Sequence, residues 1–137
     1  MTIQVGLVGY GVSGAVFHAP LIRHVEGLKL TAVVSSKPEK VLRDHPGVEV
    51  LATPEELFAR KDISLIVVTT PNTLHYPLAK AAIAAGKHVV VEKPFTVTSE
   101  EAEELIDLAR KQGVLLSVYH NRRWDGDFLT VRRLVES

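Results

Sequence analysis

The residues most suited to chemistry lie where apolar runs stop. Gly9, Gly11 and Gly14 fall in G-x-G-x-x-G spacing within the stretch GYGVSG, directly after an apolar run and before a helical pattern. In that context the spacing fits a diphosphate. Gly9 permits a tight turn, Gly11 lets backbone N–H groups approach the pyrophosphate, and Gly14 lets the helix lie close to the strand. The helix N-terminus then favours the negative charge. Tyr10 and Val12 complete the loop and are candidates with it. A methyltransferase could use the same loop for an adenosyl cofactor, and a plain glycine-rich turn is the structural alternative.

A second group follows another apolar run. In dinucleotide folds an acidic residue about 20 positions past the glycines usually binds the adenosine ribose 2′-hydroxyl. Here Ser35, Ser36 and Lys37 stand in that region. Two hydroxyls and a cation suit a 2′-phosphate, and no carboxylate is present to repel it; a solvated turn is the alternative. Farther on, Thr70, Pro71 and Asn72 form a turn able to present backbone and amide groups to a ribose or nicotinamide. His75 begins the next helix, and a structural hydrogen bond explains it as well as ligand contact does. Glu92, Lys93 and Pro94 then follow three consecutive valines with no spacer, which is abrupt for a buried strand. Asn121, Arg122, Arg123 and Trp124 close the set, with charge and an aromatic face together at another strand end.

These groups need a scaffold that gathers strand ends. Continuous apolar runs occur at residues 3–8, 28–34, 63–70, 87–92 and 114–120, with a shorter one at 48–52. Helical patterns lie between them. The clearest is Ser99–Gln112, where Ala102, Leu105, Ile106 and Ala109 repeat at helical spacing. Thr98 and Glu101 form a capping box at its start, and Gly113 is a left-handed stop. An Ala-rich helix is expected at about Tyr76–Ala85, a short one from Thr53 with Pro54 in first position, and another over Lys37–His45. Strands apolar on both faces, alternating with helices, imply an α/β fold. The expected form is a Rossmann-type, doubly wound, mostly parallel sheet with helices on both faces. In such sheets ligands bind at the carboxyl ends of strands where the strand order reverses.

The totals narrow the partners. The 137 residues are one domain's worth of chain, 46% hydrophobic but only 6% aromatic, so the core is aliphatic. Sixteen basic and sixteen acidic residues cancel, which argues against nucleic acid or an anionic membrane as a partner. Cysteine is absent, so disulfides and thiolate metal sites are excluded, and no metal site is expected. The first residues enter a strand at once, without a signal-peptide pattern, and no apolar run reaches membrane-spanning length. The cytoplasm is the expected compartment.

Four blocks in order along the chain resemble the Gfo/Idh/MocA oxidoreductases: GLVGYGVSG, FHAPLI, VVTTPNTLHYPLAKAAIAAGKHVVVEKPF and SVYHNRRWD. The long middle block is far more specific than the glycine motif. The second and last blocks suggest a bacterial NADP-dependent subgroup. The resemblance implies hydride transfer between NADP, with NAD second, and a sugar, polyol or related hydroxyl compound. It places Lys93 near the nicotinamide and the substrate hydroxyl, where a cation can polarise the oxygen or relay its proton. Glu92 would support that placement and Pro94 would fix the turn, often with a cis peptide bond. Family members continue into a second domain that lines the substrate site and through which copies usually pair, leaving a homo-oligomer open. The expected division is therefore an NAD(P)-binding domain over residues 1–125 and, over 126–137, the start of a helix leading to an absent substrate domain. A stand-alone dinucleotide-binding or sensing module is the alternative.

Overall fold

Each apolar run forms a strand in the computed structural model, which describes residues 2–137. The strands are β1 (Ile3–Val8), β2 (Leu28–Val34), β3 (Glu49–Leu51), β4 (Leu65–Val68), β5 (His88–Val91) and β6 (Leu116–Val118). They make one six-stranded sheet in the order β3-β2-β1-β4-β5-β6. Every neighbouring pair is parallel. The order reverses between β1 and β4, so the crevice beyond their carboxyl ends is the switch point of a doubly wound fold.

Alternating side chains divide the core between the two faces of this sheet. Val8, Ile66, Val68, Val89 and Val91 pack on one face against α3 (Pro54–Phe58), α4 (His75–Ala84) and α5 (Ser99–Gln112). Val5, Leu7, Leu30, Val33 and Val67 pack on the other against α1 (Ala19–His24) and α2 (Pro38–Asp44). Between β1 and β2 the pairing runs Val5 to Leu30 and then Gly6 to Ala32, which leaves Thr31 as an extra residue. That irregularity lets Leu30 and Val33 share a face despite their odd spacing. Gly6 suits the same place, because a Cβ there would lie 2.7 Å from the Leu57 side chain of α3, which would have to shift.

The helix ends obey the sequence pattern. Thr98 and Glu101 form a reciprocal capping box, and Gly113 stops α5 at φ 66°. Thr53 accepts the Glu56 N–H at the start of α3, while the Glu56 carboxylate reaches the Ala52 N–H rather than that of Thr53. The helix after the glycine loop is less regular than its pattern suggests. Residues Ser13–His18 are a π-helical turn, in which the Ala19 N–H reaches back to the Gly14 carbonyl. It leads directly into Pro20, whose ring and missing N–H are incompatible with an ordinary bond to the carbonyl four residues earlier.

The last helix, α6 (Gly126–Glu136), buries none of its residues. It carries Phe128, Val131, Leu134 and Val135 exposed at helical spacing. Among the described residues no helix is long and apolar enough to cross a membrane.

Candidate functional site

The glycine loop is held by the end of β4. Gly9 has φ 96°, a left-handed conformation that side chains disfavour, and a Cβ there would crowd Thr69 at 3.1 Å. At Gly14 a Cβ would come within 2.5 Å of the Gly9 carbonyl oxygen, so the helix cannot approach with a larger residue. Gly11 is different in kind. A Cβ there would meet nothing within 4 Å, so its backbone borders open space. That is the cradle a diphosphate needs, and a side chain would fill it.

Two clefts open on this edge. The larger, about 610 Å³, runs from Gly9, Tyr10 and Gly11 past Ser35, Ser36 and Lys37 to the first turns of α3 and α4. The smaller, about 310 Å³, is bordered by Val12, Ser13, Thr69, Glu92, Lys93, Asn121 and Arg122. Thr70 lines both. Its hydroxyl is buried and has no hydrogen-bond partner among the described residues. An orphaned donor between two clefts is a natural contact for a ligand spanning them.

Within the larger cleft, the Ser35 hydroxyl accepts the Lys37 N–H at 3.1 Å, which curls the segment over the end of β2. Ser36 and Lys37 are exposed there. Glu55 of α3 also lines this cleft and brings the carboxylate that residues 35–37 lack.

The smaller cleft is ordered by Glu92. One carboxylate oxygen accepts from the Ser13 hydroxyl and, at 2.9 Å, from the His18 ring Nε2. The other accepts the Lys93 backbone N–H at 3.0 Å. Burial alone would raise the Glu92 pKa, but these bonds hold it below the usual carboxylate value. Burial in turn keeps the His18 pKa low, against the pull of the Glu92 hydrogen bond. Lys93 itself is exposed and follows directly, joined to Pro94 by a cis peptide bond.

The other sequence candidates are distributed differently. His75 is buried and borders neither cleft; its ring nitrogens lie 2.8 Å from the Pro94 carbonyl and 2.9 Å from that of Thr70. It pins two strand-end turns together. Pro71 and Asn72 are exposed beside the Thr70 turn. Arg122 faces the Lys93 cleft, where it also pairs with Asp125 at 2.9 Å. Arg123 and Trp124 do not line it. They border a separate depression with Leu21, Val90 and Tyr119, and Trp124 is 72% exposed. The turn of residues 121–124 is helical, so successive side chains point to different sides. Ser13, His18, Thr69 and Glu55 complete the site without having been singled out by sequence pattern.

Residues 3–120 match the profile of the Gfo/Idh/MocA oxidoreductase family, described as having an NAD-binding Rossmann fold. The "uncharacterized oxidoreductase YdgJ" of Escherichia coli is 55% identical over 133 residues, which is 97% of this chain and 38% of that protein. The scyllo-inositol 2-dehydrogenase (NADP(+)) IolW of Bacillus subtilis is 52% identical over 134 residues, 98% of this chain and 37% of that protein. A solved structure of yvaA from Bacillus subtilis superposes with TM-score 0.96 at 51% identity, covering 98% of this chain and 40% of that one. The chain thus spans under two fifths of the length of the curated relatives YdgJ and IolW.

Proposed function

Because the chain belongs to the Gfo/Idh/MocA oxidoreductase family with its NAD-binding Rossmann fold, we propose that it is the NADP-binding part of an enzyme oxidising or reducing a sugar, polyol or related hydroxyl compound. The observation that carries this reading is the pair of clefts meeting at Thr70, one beside Ser35, Ser36 and Lys37, the other beside Lys93. The size and largely apolar lining of the first suit an adenine, with Ser36 and Lys37 at its edge for a 2′-phosphate and the diphosphate lying along the open backbone at Gly11. The second suits a nicotinamide and the substrate carbon beside it. When bound, the nicotinamide supplies the hydride acceptor or donor.

The chain's own residues would do the rest. Lys37 pairs with the 2′-phosphate, and Ser36 donates to it. The Thr70 hydroxyl donates where the two halves of the ligand join. In the reducing direction the Lys93 ammonium donates a proton to the substrate's carbonyl oxygen as hydride arrives. In the oxidising direction its amine form takes the proton that the hydroxyl loses, a role for a positioned acid or base. Residues 1–125 form the cofactor domain in this reading, and α6 leads from it into a second domain that encloses the substrate. The exposed apolar stripe of α6 supports that arrangement, and pairing of copies through the second domain belongs to the same proposal. IolW, an inositol dehydrogenase by name, supports a polyol as substrate.

Calorimetric titration of the chain with NADPH and NADH tests the binding half. NADPH binding supports the reading, and binding of neither would overturn it. For the catalytic half, Lys93→Ala in the longer protein should abolish most polyol-dependent reduction of NADP while leaving its binding intact.

A further inference from the structure

Among the described residues, His18 is the one imidazole that meets a carboxylate at this edge of the sheet. It sits in the π-helical turn and is 4% exposed, with its ring centroid 4.2 Å from that of Tyr119 at the end of β6. Its Nε2 lies 2.9 Å from Glu92. A carboxylate only accepts, so this nitrogen carries the proton and donates. Ser13, in the same turn, donates to the same carboxylate oxygen. The second oxygen is left to take the Lys93 N–H. Three donors from two distant segments therefore converge on one buried carboxylate, and the last of them is the backbone of Lys93.

The geometry points to His18 as a positioning residue: through Glu92 it fixes the backbone of Lys93 at the mouth of the smaller cleft. A buried carboxylate with one donor removed is free to rotate or to draw in water, and either change releases the Lys93 N–H. The π-helical turn has a part in this. Its wider spacing brings Ser13 and His18, five residues apart, onto one side facing Glu92. Tyr119 closes the other face of the imidazole and limits its rotation. The larger cleft shares none of these contacts. Loss of His18 should therefore be felt at one end of a bound dinucleotide and not at the other. In this respect the inference rests on the cofactor reading above.

The test compares His18→Leu, which removes the ring N–H, with His18→Gln, whose amide N–H can take its place. Amide hydrogen exchange read by NMR needs no ligand. In His18→Leu exchange at Lys93 should accelerate by about tenfold, while Val91 stays as in the wild type, and His18→Gln should restore protection. Titrations then use NADPH and adenosine 2′,5′-bisphosphate, which lacks the nicotinamide half. His18→Leu should weaken NADPH by about tenfold and leave the bisphosphate within about twofold. Unchanged exchange at Lys93 would overturn the proposal. So would equal weakening of both ligands with a general loss of protection, since His18 would then serve the fold alone. A wild-type chain that binds neither ligand counts against the cofactor reading, and the exchange contrast still decides the role of His18.

Discussion

The Thr69 hydroxyl donates to the carbonyl of Gly9 at 2.9 Å, tying the end of β4 to the turn that follows β1. The same oxygen would lie 2.9 Å from a Cβ at Gly14. This small side chain and the Gly9 carbonyl oxygen, which would lie 2.5 Å from that Cβ, together set how closely the helix can approach the strand, and the glycines around them tolerate change to different degrees.

Gly14→Ala should destabilise the fold. Its methyl group has backbone on one side and Thr69 on the other, so neither can yield cheaply, and overpacking of this kind costs about 1–3 kcal/mol. Gly11→Val should do the reverse, keeping a cooperative melt while losing either cofactor, because its side chain enters only open space. Thermal unfolding beside NADPH titration separates the two. A Gly11→Val protein that folds and still binds would count against the dinucleotide cradle.

Thr70→Val should leave the melting temperature equal or slightly higher, since the hydroxyl it removes has no partner among the described residues. Dinucleotide affinity should fall by roughly two- to tenfold, the worth of one hydrogen bond. Unaltered affinity would show that no ligand uses this hydroxyl.

NADPH should bind more tightly than NADH by roughly ten- to a hundredfold, from one charge-assisted contact to phosphate. Lys37→Glu should remove that preference by adding a second carboxylate to a cleft that already holds Glu55. Parallel titrations of both cofactors check it, and a preference for NADH in the unmodified chain would contradict it.

Acid should weaken the fold in two stages. The buried His18 has a pKa below its ordinary 6.5, so the unfolded chain binds a proton that the folded chain resists. Stability therefore falls as pH drops from 6.5 toward the folded value. Glu92 has a pKa below its ordinary 4.5, so its contribution is complete above 4.5 and is lost as pH falls through its folded value. Melting temperatures followed downward from about pH 8 should show both stages. His45, which burial and then Arg23 also hold below its ordinary value, shares the upper stage. His18→Gln should therefore reduce that stage and leave the lower one, and an unchanged upper slope would refute the assignment.

Most of the strands were legible because they are apolar on both faces, which few other elements are, and their ends carry most of the residues that border the two clefts. Capping at Thr98 and the stop at Gly113 were legible for a local reason: each needs only its own helix terminus. The contacts around Glu92 were not, since Ser13 and His18 lie 79 and 74 residues away and meet it only when the sheet closes. Gly6 did leave a signal. A glycine inside a strand marks an irregularity or a close approach, and here it marks both. The separation of Arg122 from Arg123 and Trp124, with Asn121 bordering both depressions, had no such mark, because a strand end says nothing about the short helical turn that follows it.

The place of β1 in the sheet also bears on how the chain is made. β1 is made before the strands on either side of it: β2 follows within the next 26 residues, but Val68 must emerge before the other edge is covered. At ordinary translation speed that is on the order of 3–12 s during which a strand of Val5, Leu7 and Val8 has one side unpaired. An open apolar edge in a nascent chain invites pairing with its neighbours on the polysome. The central strand of the finished nucleotide fold is thus its most vulnerable segment during synthesis, and the one where a holding chaperone would be of most use.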